Sequence, residues 1–340
     1  MIDLIDTDQA PLAESTPFLS VRNLSKQFPV KLGFRKTGYV SAVDDVSFDV
    51  FKGETLGIVG ESGCGKSTTA RLLLRLIEPD DGAVSFDGQD IRGSGRDEVR
   101  LLRRDIQMVF QDPYTSVNPR MSIGDNVAFP MKAHGVVKNV RQERTEMLLD
   151  QVGLHRHHAS YFPHQLSGGQ LQRVNIARAL ALQPRLIICD EPVSALDKSI
   201  QAQVLNLLKD LQEQLQLTYL FISHDLNVVE YMSNHVLVMY LGQVVEACSS
   251  EALYREPLHP YSQVLLSSIP KVDEEVTEPV AALSGDIPSP LNPPSGCRFR
   301  TRCPFVMDIC EKERPLMRQP KPGHGVACHM YDADPVAKSA

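Results

Sequence analysis

Nine consecutive residues hold the most specific chemistry in the chain. Gly60, Glu61, Ser62, Gly63, Cys64, Gly65, Lys66 and Ser67 spell G-x-x-x-x-G-K-[ST], and Thr68 follows. Glycines in this spacing let successive backbone N–H groups turn inward around β- and γ-phosphates. Lys66 supplies a cation, the Ser67 hydroxyl suits Mg²⁺, and a helix starting there adds the positive end of its dipole. The stretch predicts a nucleoside triphosphate site. Further along, Asp190 and Glu191 close a short apolar run, Gln111 nearly closes another, and His224 follows a third. Ser167, Gly168, Gly169 and Gln170 open a helical stretch with exposed backbone N–H groups, either a second anion-binding helix start or an ordinary cap.

Such groups need elements to hold them. Residues 55–59 read as a buried strand and 68–76 as a helix, so the glycine loop lies at a strand-to-helix turn. The runs 106–112, 186–191 and 219–223 read as further strands, and 200–217 as a long helix between the last two. Strand–helix–strand order implies a parallel α/β core that delivers polar residues at its carboxyl edge. Alternation in 18–24 and 43–50, and the strand 82–88, imply a partly exposed antiparallel sheet, with 31–39 as an inserted loop. Apolar spacing is helical over 122–182, with 141–152 amphipathic and Gly153 a stop. Residues 1–17 read as a flexible tail. After about residue 270 the chain turns acidic and then proline-dense, which places a boundary there.

The net charge of −7 over 340 residues excludes a general nucleic-acid binder. No apolar run approaches the roughly 18–20 residues of a membrane span, and the N-terminus has no basic region followed by an apolar one. The expectation is a soluble, cytoplasmic polypeptide that reaches any membrane through a partner. Of seven cysteines, Cys64, Cys189 and Cys248 are scattered and read as inert thiols. Cys297, Cys303, Cys310 and Cys328 are spaced C-x5-C-x6-C-x17-C among prolines, which suits a metal centre stapling a loop-rich lobe, with zinc adequate on chemistry alone. His324 and His329 flank Cys328 as possible substitutes, though either is more often a surface residue. Residues His155, His157, His158 and His164 read as a solvated surface.

The order of these motifs resembles the ATP-binding cassette family over about 250 residues: glycine loop, Gln111, the Ser167–Gln170 signature, Asp190-Glu191, Asp197, His224. That resemblance implies a P-loop NTPase fold of cassette type, with a parallel core, an antiparallel β subdomain and a helical subdomain at about 112–180, in a domain spanning 18–270. It implies ATP hydrolysis. Asp190 would hold Mg²⁺ through water beside Ser67, Glu191 would be the general base, and Gln111 would contact metal and water. His224 would bond the γ-phosphate. Ser167, Gly168, Gly169 and Gln170 would bind the ATP of a facing second cassette, and Asp197 would tie the two sites together. Phe28 matches the adenine-stacking position, where a tyrosine is common; Tyr39 is its rival.

The tail, residues 258–263, 285–291, 296–297 and 302–304, resembles peptide-importer ATPases, particularly the dipeptide and oligopeptide permease subunits with suffix F. This resemblance implies a second, nonidentical ATPase, two transmembrane permease subunits and a periplasmic or extracellular binding protein as partners. The setting implied is the cytoplasmic face of the bacterial membrane. It also implies a [4Fe–4S] cluster in an extension at 271–340, with zinc or free thiols as alternatives. Nickel and glutathione importers share much of the tail. Soluble cassette ATPases of translation or DNA repair usually have two cassettes, long coiled-coil insertions or basic surfaces, and none of these is visible.

Overall fold

The structure, a computed structural model, describes residues 16–33, 37–268 and 288–332. The expected tail lies almost wholly outside the described residues, as do the acidic stretch 271–279 and residues 285–287 of the motif at 285–291.

The chain opens with β1 (Leu19–Lys31) and β2 (Thr37–Val50), a long antiparallel ribbon. The inserted loop expected at 31–39 is partly strand: β1 includes Lys31, β2 includes residues 37–39, and Tyr39 lies opposite Pro29. Next come β3 (Thr55–Val59), α1 (Lys66–Leu73), β4 (Asp81–Phe86), β5 (Gln89–Asp90), α2 (Arg96–Asp105) and β6 (Ile106–Val109). A helical segment follows, with α3 (Pro113–Ser116), α4 (Ile123–Ala133), α5 (Lys138–Gln151) and α6 (Gly168–Leu180). The chain then returns through β7 (Leu186–Asp190), α7 (Lys198–Leu215), β8 (Thr218–Ile222), α8 (Leu226–Met232), β9 (His235–Tyr240), β10 (Gln243–Ser249), α9 (Ser250–Arg255) and α10 (Pro260–Ser267).

These strands make two sheets. One, in the order β2-β1-β4-β5, is antiparallel. The other has eight strands, and its centre, β9-β3-β8-β7-β6, is parallel. Both faces of that centre are covered, so β3, β7 and β8 are buried throughout and their alternation sorts side chains between two cores. Ile187, Cys189, Tyr219 and Phe221 join the core under the helical segment, whereas Leu186, Ile188, Leu220 and Ile222 join the core beneath the antiparallel sheet and α1. In β3 the position facing α8 is Gly57, where any side chain would collide with Val229 and Ser233.

Short regular elements resume beyond the proline-rich stretch, within the lobe expected to be loop-rich. A short helix, α11 (Ile309–Lys312), precedes β11 (Arg318–Lys321) and β12 (His324–Val326). Strand β12 pairs with β10 and extends the main sheet. One fully buried carboxylate fastens this junction. Glu246 on β10 accepts hydrogen bonds from the backbone N–H groups of Leu258 at 2.7 Å and His259 at 2.9 Å, and its Oε1 lies 2.7 Å from His324 Nε2. His329 is likewise buried, between Asp332 and the Glu313 carbonyl. Both histidines are therefore committed to hydrogen bonds in the interior, and neither is the free surface ligand considered above.

Glu246→Ala would leave two amides and an imidazole unpaired in an apolar setting. It should lower thermal stability by about 2–4 kcal/mol, and Glu246→Gln, which keeps an acceptor, by less; thermal unfolding of the two variants checks the order.

Candidate functional site

The phosphate loop begins where β3 leaves the sheet. Gly65 has φ of 109° and lies against the Ala42 carbonyl, so a side chain there would be both strained and blocked. Lys66 is the first residue of α1 and is buried, with 5% of its surface exposed. Its Nζ donates to the carbonyls of Gly60 at 2.7 Å and Glu61 at 3.0 Å. One residue later, Ser67 Oγ donates to Asp190 Oδ1 at 2.8 Å. Asp190 is the last residue of β7 and 6% exposed. Burial pushes its carboxyl above the usual range; Glu191 adds to the rise, while the Ser67 hydrogen bond and the charges of Arg71 and Lys66 oppose it.

Glu191 turns away from its neighbour because its backbone is left-handed, with φ of 49°. Its Oε2 accepts from Gln111 Nε2 at 2.7 Å and lies 3.1 Å from His224 Nδ1. Three residues from the ends of β6, β7 and β8 thus meet at one oxygen. Parallel pairing of β7 with both neighbours sets this meeting, since it brings equivalent strand ends to a common edge.

The second anion-binding candidate lies apart. Ser167 caps α6: its hydroxyl accepts from Gln170 N at 3.3 Å, and Gln170 Oε1 accepts from Ser167 N at 2.9 Å. Gly168 faces the Tyr114 hydroxyl and Leu196 at contact distance. Among the described residues, no hydrogen bond joins residues 167–170 to residues 60–68. Asp197 caps α7 by accepting from Ile200 N at 3.0 Å and from Ser199 Oγ at 2.8 Å, and the Ile200 and Ser199 bonds hold its carboxyl below the usual range. Phe28 is half-buried opposite Val40, and Tyr39 is exposed opposite Pro29. Alternation places the two rings on opposite faces of the ribbon.

The four clustered thiols also converge. Cys310 and Cys328 are buried, Cys297 and Cys303 partly so, and none is in a disulfide. Burial raises the Cys297 and Cys328 thiols to about 11, and neighbouring thiols add to the rise, Cys303 and Cys310 for Cys297 and all three others for Cys328. Backbone N–H groups point at the sulfurs, Phe305 N to Cys303 Sγ at 3.4 Å among them. Raised thiols that meet backbone donors suit a cationic centre that would keep them ionised. A tetrahedral zinc site would hold sulfurs about 3.8 Å apart, whereas no three of these sulfurs lie within 4.8 Å of one another. Glu246, Cys248 and His324 do approach that closely, but both Glu246 oxygens are taken by the hydrogen bonds already described.

Two contacts to the phosphate loop have no local signal in the sequence. Tyr261 Oη accepts from Glu61 N at 2.9 Å, and Arg302 grips the Glu61 carboxylate. Their partners are 200 and 241 residues away.

Comparison with known proteins agrees with this geometry. The model of the ABC transporter family matches residues 43–194, and that of the oligopeptide/dipeptide transporter C-terminal region matches residues 245–310. A dimeric post-hydrolysis structure of the ATP-binding cassette MJ0796 bound to ADP and Pi has 31% sequence identity to this chain. It covers 68% of this chain and 98% of its own at a TM-score of 0.61. A second structure, cbiO1 of Clostridium perfringens, part of the ABC transporter complex cbiONQ, has 28% identity, 71% and 91% coverage, and a TM-score of 0.62. Fold and site define an ABC-type ATPase. More particularly, the oligopeptide transport ATP-binding protein AppF of Bacillus subtilis is 51% identical over 325 residues, 94% of this chain and 99% of AppF. The chain belongs to the family of oligopeptide ABC transporter ATP-binding subunits. Among the described residues, no helix is long and apolar enough to cross a membrane.

Because folding raises the Asp190 pKa, the contribution of this group to stability is present at acid pH and lost as pH rises through the raised value. Asp190→Asn should therefore raise the melting temperature of nucleotide-free protein at neutral pH, and this gain should vanish at acid pH; the same variant should lose Mg²⁺-dependent ATP hydrolysis. Melting curves at both pH values and a turnover assay test this.

Proposed function

We propose that this chain is the ATP-hydrolysing subunit that powers import of di- or oligopeptides through a membrane permease, from the cytoplasmic face of a bacterial membrane. The observation that carries the proposal is the meeting of Gln111 and His224 at one Glu191 oxygen, beside the buried Ser67–Asp190 pair. Lys66, now satisfied by two carbonyls, would transfer its hydrogen bonds to β- and γ-phosphate oxygens. Ser67 and Asp190, the latter through water, would hold Mg²⁺, which neutralises charge between those phosphates. Glu191 takes a proton from the attacking water as general base. The exposed imidazole of His224 orients that water and hydrogen-bonds the γ-phosphate, while Gln111 senses the site and moves with the permease.

The separation of residues 167–170 from the phosphate loop supports a head-to-tail pair, in which Ser167, Gly168, Gly169 and Gln170 serve the ATP of a second, related cassette and Asp197 bridges the interface. Two transmembrane subunits and an external peptide-binding protein complete the assembly in this reading. Peptide as cargo is supported by the name of AppF and by the match to the transporter C-terminal region. For the four cysteines we favour a [4Fe–4S] cluster over zinc, on the resemblance of the tail to peptide-importer ATPases. Such a cluster, when bound, would supply a structural staple or a redox centre.

Glu191→Gln should keep ATP binding and reduce turnover by a factor of a hundred or more, on the order expected for loss of a general base; wild-type turnover would remove Glu191 from that role. Phe28→Ala should weaken ATP several-fold and Tyr39→Ala should not, a comparison that nucleotide titration settles in either direction. Anaerobically purified protein should be brown and carry about four iron atoms per chain, whereas colourless protein loaded with zinc would overturn the cluster. Uptake assays with labelled peptides and with nickel separate the two cargo classes.

A further inference from the structure

The phosphate loop is held from outside by a residue that belongs to the cysteine-bearing extension. Arg302 directly precedes Cys303 and has 5% of its side chain exposed, whereas that of Glu61 is 20% exposed. Its guanidinium donates from Nη1 to Glu61 Oε2 at 2.7 Å and from Nη2 to Oε1 at 3.0 Å, a two-pronged pair. The same Nη1 lies 3.4 Å from the Tyr240 hydroxyl. Tyr240, Tyr261 and Phe299 form an aromatic cluster beside it, with ring centroids 4.7–5.4 Å apart. Arg302 N donates to the Phe299 carbonyl at 2.9 Å, so its backbone is tied to that cluster too. Every polar group of Glu61 is thereby engaged: N–H by Tyr261, carboxylate by Arg302, carbonyl by Lys66.

Glu61 presents a difficulty that this arrangement answers. It places a carboxylate one residue into a loop that must receive a polyanion. Left unpaired in a partly buried place, that charge would repel the phosphates and would be free to turn toward Lys66, the cation they need. We propose that Arg302 is a positioning residue of the ATP site: by neutralising and orienting Glu61 it keeps the phosphate loop open and its lysine available, so the C-terminal extension sets the affinity for nucleotide. The proposal rests on the reading of residues 60–68 as the ATP site.

The test compares ATP and ADP binding to the full-length chain and to Arg302→Gln, Glu61→Gln, the double variant and Arg302→Lys by equilibrium titration. Arg302→Gln should weaken ATP about tenfold and ADP less, since ADP has one phosphate fewer to repel. Glu61→Gln should tighten ATP about threefold by removing the carboxylate while keeping the cation. The double variant should bind ATP better than Arg302→Gln alone, and Arg302→Lys should retain most of the wild-type affinity. A purely structural Arg302 predicts the opposite for the double variant, which would then bind as weakly as the single one or worse. That result, or unchanged ATP binding in Arg302→Gln, overturns the proposal. Should the Arg302 variants not fold, Glu61→Gln decides alone, because weaker ATP binding in that variant is incompatible with a repulsive carboxylate. Failure of the wild-type chain to bind ATP would overturn instead the assignment of the site on which the proposal rests.

Discussion

Two opposite charges in the interior govern this structure. Lys66 and Asp190 are each more than nine-tenths buried, and an isolated charge in such a place is costly unless it is paired and hydrogen-bonded. Here the lysine is met by two loop carbonyls and the aspartate by one hydroxyl, and that satisfaction is incomplete enough for burial still to raise the aspartate. The arrangement requires β3 and β7 to end at the same edge with β8 between them, and hence a parallel sheet covered on both faces. The site is a set of donors and acceptors that pair with one another. Phosphates and a divalent cation are the partners that would release them.

Helix α6 follows the Ser167 cap that we propose serves a second cassette, and its buried polar residues show how it is held. Gln172 donates to the Pro192 carbonyl at 2.7 Å and Asn175 to the Pro113 carbonyl at 3.3 Å. Pro113 follows Gln111 by two residues and Pro192 follows Glu191 by one. The helix is therefore fastened to both segments that leave the sheet at the site. Both hydrogen bonds lie in a dry interior, where they are hard to exchange for water.

What was legible in the sequence was what is local. The glycine loop, the acids at the end of β7 and the cap at Ser167 each lie within a few residues, and the apolar runs of β7 and β8 reflect burial on both faces. The length of the β1–β2 ribbon was not legible. Residues 31–33 and 37–39 are exposed or half-exposed, so no apolar alternation marks them, and lysine and glycine give them the look of a loop. Strand β11 is fully exposed, and β12 has three residues, too few for a period to show. His324 and His329 were misread because their burial depends on Glu246 and Asp332, and in the first case that partner is 78 residues away. The grip of Arg302 on Glu61 is the extreme instance, since nothing near either residue announces the other.

The strand that joins the extension to the sheet has a consequence for how such subunits diverge. With β12 paired to β10 and Glu246 stitched to both the α9–α10 link and His324, the border seen in composition near residue 270 is not a border in the folded molecule. Tail and cassette cannot be exchanged between relatives as separate cartridges: a chimera joined at that border would inherit a sheet edge shaped for one tail and a tail shaped for another edge. Change in either part is acceptable only when matched in the other, so the two should drift together and the joint between them should be among the slowest surfaces to alter.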